Sequence, residues 1–170
     1  MANSSVPQTN DLSLYPPTGE APAMTEAESL KTVLCSIFRR RGGETSKTMV
    51  FENLPAQIQS GLLGSAMLAP DELPVVASVE NGNQWVLITT QRVLVHRSGE
   101  TTTVDCSQLR DATVALGLDA ARGATNKTSL TSLKLVMKSG EERIVQVEPG
   151  VAHMGIWNVL KHFAAKNAKM

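Results

Sequence analysis

Apolar residues repeat with two different periods along this chain, and the period changes near residue 70. Before that point they recur every three to four residues, which is typical of amphipathic helices; after it they alternate with polar residues, as in strands. The helical period returns after Pro149 and Gly150, which break the strand pattern. The pattern therefore predicts an α+β protein in which helices precede and follow the strands of an antiparallel sheet along the chain.

The first predicted helix begins at Thr25 and ends before Gly42 and Gly43. Thr25 and Glu28 have the spacing of a capping box, in which each residue satisfies a backbone group of the other. One apolar stripe follows with helical spacing, and it predicts the buried face. Its members are Leu30, Val33, Leu34, Ile37 and Phe38.

A second helix is predicted from about residue 52 to 68. Asn53 is in position to cap it, and Pro55 suits its first turn. Gly61 and Gly64 lower its intrinsic stability but allow close packing. We expect this helix and the first to form an N-terminal helical segment at 25–69.

Seven short strands are predicted after residue 70, separated by turn sequences such as "SGE" at 98–100 and "KSGEE" at 138–142. Residues 118–129 are predicted to be the longest loop of this half. The strands are expected at 73–80, 84–90, 92–97, 101–106, 111–117, 130–138 and 142–148.

The last predicted helix follows Gly150 and closes the strand-rich domain, which we place at 70–168. Trp157 and Phe163 are its largest apolar anchors. Its expected buried face covers an otherwise exposed sheet face. The members of that face are Val151, Met154, Trp157, Leu160, Phe163 and Ala164.

Composition says more about the location and the excluded partners of this protein than about its activity. Residues 1–24 are polar and rich in proline, so a disordered tail is expected there. Sixteen basic residues balance sixteen acidic ones, which argues against nucleic-acid binding. Cys35 and Cys106 form no CxxC pair, and residues 1–10 do not resemble a secretory signal. We therefore expect free thiols and a cytoplasmic location.

The histidines and cysteines do not have the spacing of a metal site or a catalytic site. His96 lies on a predicted strand, while His153 and His162 are nine residues apart on one helix, so no metal site is expected. Cys106 and His96 on neighbouring strands form a conceivable nucleophile and base, but a buried strand cysteine is the commoner arrangement. We expect no enzyme activity, no cofactor and no small-molecule substrate.

One basic cluster stands out, formed by Arg39, Arg40, Arg41 and Lys47. The run "RRRGGETSKTM" lacks the glycine before lysine that a phosphate-binding P-loop requires. The arginines complement the C-terminal dipole of the first helix, and the same cluster is suited to acidic partners or anionic lipid. It is the candidate patch for an anionic ligand or partner.

The hairpin "NQWVLITTQRVLVHRSG" at 83–99 contains Thr89, Thr90 and Arg92. Threonine side chains stabilise turns by bonding backbone groups two or three residues away. Arg92 is suited to cross-strand pairing. We interpret these polar residues as structural.

The hairpin also resembles a family motif. "WVLITTQRVLVH" is similar to the hhhTxxRhhhh hairpin of bacterial pleckstrin-homology-like (PH-like) and GRAM-like domains, with Leu87, Thr89, Arg92, Val93 and Leu94 at the matching positions. The order of about seven strands and a C-terminal helix is similar too. The resemblance implies a PH-like antiparallel β-barrel or sandwich at 70–168, preceded by two additional helices.

The resemblance further implies a non-catalytic binding module. The loop at 80–83 contains no basic residue, whereas lipid-binding members carry several there. We therefore expect a protein partner: a scaffold role, self-assembly through a sheet edge or the extra helices, or inhibition of a partner as in immunity-type proteins. The alternative is a peripheral adaptor that binds anionic lipid through Arg39–Arg41 and the first helix.

Overall fold

The computed structural model describes residues 21–170, and the expected tail falls almost wholly outside them. Residues 21–24 are exposed and precede the first helix without regular structure. The Thr25–Glu28 capping box is confirmed, and Gly42 caps the other end of that helix, as predicted. The helices are α1 Glu26–Arg41, α2 Ala56–Ala66, α3 Leu116–Ala121 and α4 Val151–Asn167.

The strands form two antiparallel sheets, so the α+β class is confirmed. A five-stranded sheet has the order β1-β2-β3-β4-β5, and a three-stranded sheet has the order β6-β7-β8. No closed barrel forms in the described part of the chain, because these sheets remain separate. The strands are β1 Thr48–Val50, β2 Pro74–Asn81, β3 Gln84–Thr89, β4 Arg92–Arg97, β5 Glu100–Asp105, β6 Leu109–Val114, β7 Ser132–Met137 and β8 Glu142–Gln146.

β1 was not predicted, since it lies inside the segment expected to be helical. It is only three residues long, too short to show a period-2 pattern. Its pairing with β2, in which Met49 lies opposite Ala77, makes it a strand. A 3-10 turn at Phe51–Asn53 then leads to α2, which begins at Ala56 with Pro55 as N-cap, so the prediction that Asn53 caps it was wrong.

The main core lies between the two sheets and is closed by α1 and α4. Leu34 and Phe38 enter it from α1, and Leu160 and Phe163 enter it from α4. The inward residues of β7 and β8, such as Leu135, complete it. The first helix therefore packs into the same core as the strand-rich half.

A second core covers the opposite face of the five-stranded sheet. Trp85 and Leu87 of β3 point into it, together with Leu62 and Ala66 of α2. The alternate residues of β3 face the main core. Both faces of this sheet are therefore buried, which explains why β3 is almost continuously apolar.

Two further predictions were corrected. The expected loop at 118–129 contains most of α3, and the buried Asp119 holds this segment by accepting bonds from the backbone of Thr131 and Ser132. On α4 the expected stripe was partly wrong: Val151 is exposed, while His153 and Ile156 are buried. The reason is that α4 contacts both α1 and β6, so its buried surface is wider than one stripe.

Within residues 21–170, no helix combines the length and the hydropathy needed to cross a membrane.

Candidate functional site

The three arginines of the predicted basic patch lie exposed on the last turn of α1. Arg39 Nε is 4.0 Å from Glu44 Oε1. Arg40 Nε donates to the carbonyl of Ser36 at 3.4 Å within the helix. These contacts are exposed and contribute little stability.

Lys47 has a partner of its own and lines a cleft between the two sheets. Its Nζ is 2.7 Å from Glu80 Oε1. The cleft, with a volume of about 280 Å³, also contains Arg97 and Arg122, which sequence reasoning did not single out, and Glu148. Basic and acidic groups both line the cleft, so it does not present a uniformly basic surface. Binding of anionic lipid at the patch stays a prediction.

Thr89 and Arg92 of the opening hairpin meet a buried carboxylate that sequence reasoning missed. Arg92 Nη2 lies 2.7 Å from Glu72 Oε2, and Thr89 Oγ1 donates to Glu72 Oε1 at 2.5 Å. Burial favours a raised pKa for Glu72, but the hydrogen bonds from Arg92, Thr89 and the backbone of Ala69 hold its pKa below the usual range. The only sequence signal is one acidic residue just before an apolar strand. The network stabilises the β3–β4 hairpin.

The conceivable Cys106–His96 pair does not form. Cys106 is buried in the main core, and burial raises the pKa of its thiol, so it stays protonated. His96 stacks on Trp85, which belongs to the second core, with ring centroids 5.0 Å apart. The two side chains therefore lie on opposite faces of the five-stranded sheet. Among residues 21–170, no group of three or more metal-ligating side chains comes together.

His153 is fully buried, and neither ring nitrogen has a hydrogen-bond partner in the described part of the chain. Burial lowers the pKa of His153, and the nearby backbone of Ser132 and the carboxylate of Asp119 offset part of this effect. The ring is therefore neutral at neutral pH.

We expect this histidine to make the protein less stable in mild acid. In the unfolded chain His153 takes up a proton below about pH 6.5, whereas the buried ring resists protonation. The unfolded state then binds more protons, so the free energy of unfolding falls as the pH drops from about 7 to about 5. Urea unfolding at several pH values measures this slope, and His153→Leu should flatten it. An unchanged slope in His153→Leu would show that another group is responsible. His162, a half-buried histidine whose pKa is also lowered, is the next candidate, and His162→Gln tests it.

The outer edges of the two sheets differ in how well they are covered. β1 is covered by the residues before it: the Thr45 N–H donates to the Thr48 carbonyl at 2.7 Å, and the Val50 N–H donates to Glu44 at 3.1 Å. Each outward-facing group named here already has a partner. β1 therefore does not offer a free edge.

β6 is covered by α4. Trp157 Nε1 donates to the carbonyl of Ala112 at 2.8 Å, and Asn167 Nδ2 donates to the carbonyl of Leu109 at 2.8 Å. Lys161 adds a salt bridge to Asp111 at 2.8 Å. These contacts leave no room for a further strand along the bonded part of β6.

β8 and β5 are the edges on which no described element packs as a further strand. β8 carries adjacent charges at Glu142 and Arg143, a common protection against edge-to-edge pairing. β5 has the sequence "ETTTVD", with no lysine, arginine or proline, and all its residues except Val104 are exposed. Its central threonines have high strand propensity. β5 is therefore the least protected edge.

The register shows which groups of β5 face outward. Cys106 N–H donates to the Gln91 carbonyl at 2.8 Å, so these opposite residues form a hydrogen-bonded pair. Bonded and non-bonded pairs alternate along an antiparallel ladder. The backbone groups of Thr101, Thr103 and Asp105 therefore point away from β4. We call these outward groups the β5 edge.

Sequence reasoning placed a strand at 101–106 but did not identify its exposed edge. Strand propensity is visible in "TTTV", whereas edge position depends on which strands lie beside it in the sheet. Comparisons with protein-family models, with curated proteins and with solved structures found no match.

Proposed function

We propose that this protein is a non-catalytic, PH-like protein-binding module that binds an extended segment of a partner at the β5 edge. The observation that carries the proposal is the contrast among the four outer strands. Within residues 21–170, β1 and β6 are covered and β8 carries adjacent charges of opposite sign, whereas β5 carries charge only at its two ends, Glu100 and Asp105. The outward backbone groups between these ends belong to a run of uncharged threonines and have no partner in the described part of the chain. Natural proteins usually protect such an edge unless it is used.

The arrangement of elements supports the PH-like part of the proposal. β2–β5 form four consecutive antiparallel strands, β6–β8 form three, and α4 follows. This is the order that the resemblance implies. β1, α1 and α2 are additions, and α2 covers the outer face of the larger sheet.

The geometry of the β5 edge favours a polypeptide as ligand. Its outward N–H and C=O groups recur every second residue, a spacing of about 6.6–6.8 Å. Another extended backbone provides donors and acceptors at the same spacing, which is the basis of strand addition. Threonine side chains on both sides of the strand accept varied neighbours without charge repulsion.

We expect Thr103→Pro to abolish strand addition while leaving the fold intact. The Thr103 N–H faces outward, so proline removes a donor from the edge and not from the β4–β5 ladder. Peptides selected by display against the wild-type protein serve as ligands, and their affinity should fall by about tenfold or more. Isothermal titration calorimetry measures the change.

Ile144→Pro is the matched control, since Val147 N–H bonds the Thr131 carbonyl and the alternation places the Ile144 N–H outward on β8. This control should bind the peptides like the wild type. Peptides that bind Thr103→Pro as well as the wild type would remove the β5 edge as the site.

A further inference from the structure

We propose that the β5 edge pairs with the β5 edge of a second copy, antiparallel around a two-fold axis at Thr103. This inference rests on the proposed function and names the partner. The two five-stranded sheets would then form one continuous sheet. A two-fold arrangement uses the same surface on both copies and closes without further growth.

The positions of the outward groups select the register. Only odd-numbered residues of β5 face outward, so hydrogen-bonded pairs between copies join odd-numbered residues. With the axis at Thr103, Thr103 lies opposite its symmetry mate and Thr101 lies opposite Asp105 of the second copy. All three outward residues of each strand are then bonded. Shifting the register by two residues in either direction leaves one of them unpaired.

The side chains that meet in this register are complementary. A Thr101 hydroxyl would lie opposite an Asp105 carboxylate, of which only Oδ1 accepts a bond in the described part of the chain, from Ser107 N–H at 2.8 Å. Thr103 would meet Thr103, and Thr102 would meet Val104. Threonine pairs and pairs of β-branched residues are among the favourable cross-strand combinations.

Charge does not oppose the pairing. The formal net charge of the chain is zero, so two copies do not repel each other at long range. Glu100 lies beyond the bonded residues, opposite Cys106 of the second copy. No acidic pair therefore lies directly opposite in this register.

The test uses charges that meet only if the axis passes through Thr103. Sedimentation velocity of the wild type should give a mass near twice 18.2 kDa. Thr103→Lys places two like charges opposite each other, as does Thr103→Asp, so each variant alone should raise the dimer dissociation constant by about tenfold or more. An equimolar mixture of the two variants should recover the dimer, because lysine then faces aspartate.

Ile144→Lys and Ile144→Asp on the β8 edge are the matched controls and should dimerise like the wild type. Urea unfolding verifies that each variant is folded. A wild type that stays monomeric at its highest soluble concentration would overturn the inference, as would a dimer that the Thr103 variants leave intact. If that monomer still binds selected peptides in a Thr103-dependent way, the proposed function stands and only the identity of the partner is wrong.

Discussion

Gly42→Ala is expected to destabilise the protein strongly, although it adds only one methyl group. A β-carbon at Gly42 would lie 2.3 Å from the carbonyl oxygen of Val151 and 2.4 Å from the backbone N and Cα of Gly155. These are backbone atoms of α4, so no side-chain rotation relieves the clash. We expect the free energy of unfolding to fall by about 3 kcal/mol, at the upper end for overpacked positions.

The reason lies in how α1 meets α4. Gly42 caps α1, and its N–H donates to the Phe38 carbonyl at 3.0 Å. Phe38 in turn packs against Gly155, where a β-carbon would lie 2.6 Å from the phenyl ring. The two glycines allow the backbones to touch, which brings the apolar face of α1 into the main core.

Gly64→Ala is the matched control, since a β-carbon there has no neighbour within 4 Å among residues 21–170. Gly64 lies inside α2, so alanine should raise the free energy of unfolding by about 0.5–1 kcal/mol. Urea unfolding of both variants measures the contrast. A Gly42→Ala variant as stable as the wild type would show that α1 and α4 are not in such close contact.

Arg92→Ala is expected to destabilise the protein by a similar amount. The Glu72 side chain is only 1% exposed, and Arg92 is its cationic partner, with Nε at 3.0 Å from Oε1 and Nη2 at 2.7 Å from Oε2. Removing one member of a buried ion pair costs about 3–5 kcal/mol, because the other charge stays buried without compensation. Since Arg92 is 28% exposed, we expect the lower end, about 3 kcal/mol.

The pH dependence of stability tests whether the uncompensated charge of Glu72 causes this loss. In the wild type the pKa of Glu72 is lowered, so its contribution to stability is complete above the usual carboxyl pKa and is lost as the pH falls through the folded value. Without Arg92, burial would raise the pKa of Glu72, and protonation would then relieve the variant as the pH falls. The difference in stability between wild type and Arg92→Ala should therefore shrink from pH 7 to about pH 4.

A double-mutant cycle separates the ion pair from lost packing. Glu72→Ala combined with Arg92→Ala should cost less than the sum of the single variants by about 1 kcal/mol or more. Arg92→Lys keeps the charge but loses the bidentate geometry, so it should lie between wild type and Arg92→Ala. Additive losses at all pH values would mean that the two side chains are not coupled.

Much of the secondary structure followed from local patterns. Thr25 and Glu28 satisfy each other within one helical turn, so their role is decided by residues three apart. The hairpins at 97–100 and 138–142 contain glycines with positive φ, Gly99 and Gly140, at positions that turns require. Such signals need no knowledge of the rest of the chain.

The candidate site could not be predicted in the same way. β1 is a strand because β2 lies beside it. Glu72 has a structural role because it pairs with Arg92, which is 20 positions later along the chain. The position of Lys47 beside Glu80, 33 residues away, is equally non-local. Each depends on a contact between distant segments, which a local pattern does not contain.

The sequence by itself determined the helical and strand periods, the caps and turns, the zero net charge and the strand propensity of "TTTV". Those properties belong to individual residues and their near neighbours. The tertiary structure decided that α1 packs into the main core, that α2 covers the second face of the larger sheet, and that β5 is left at an edge. An edge exists only in relation to the strands that do or do not lie beside it, so its availability is a property of the folded sheet.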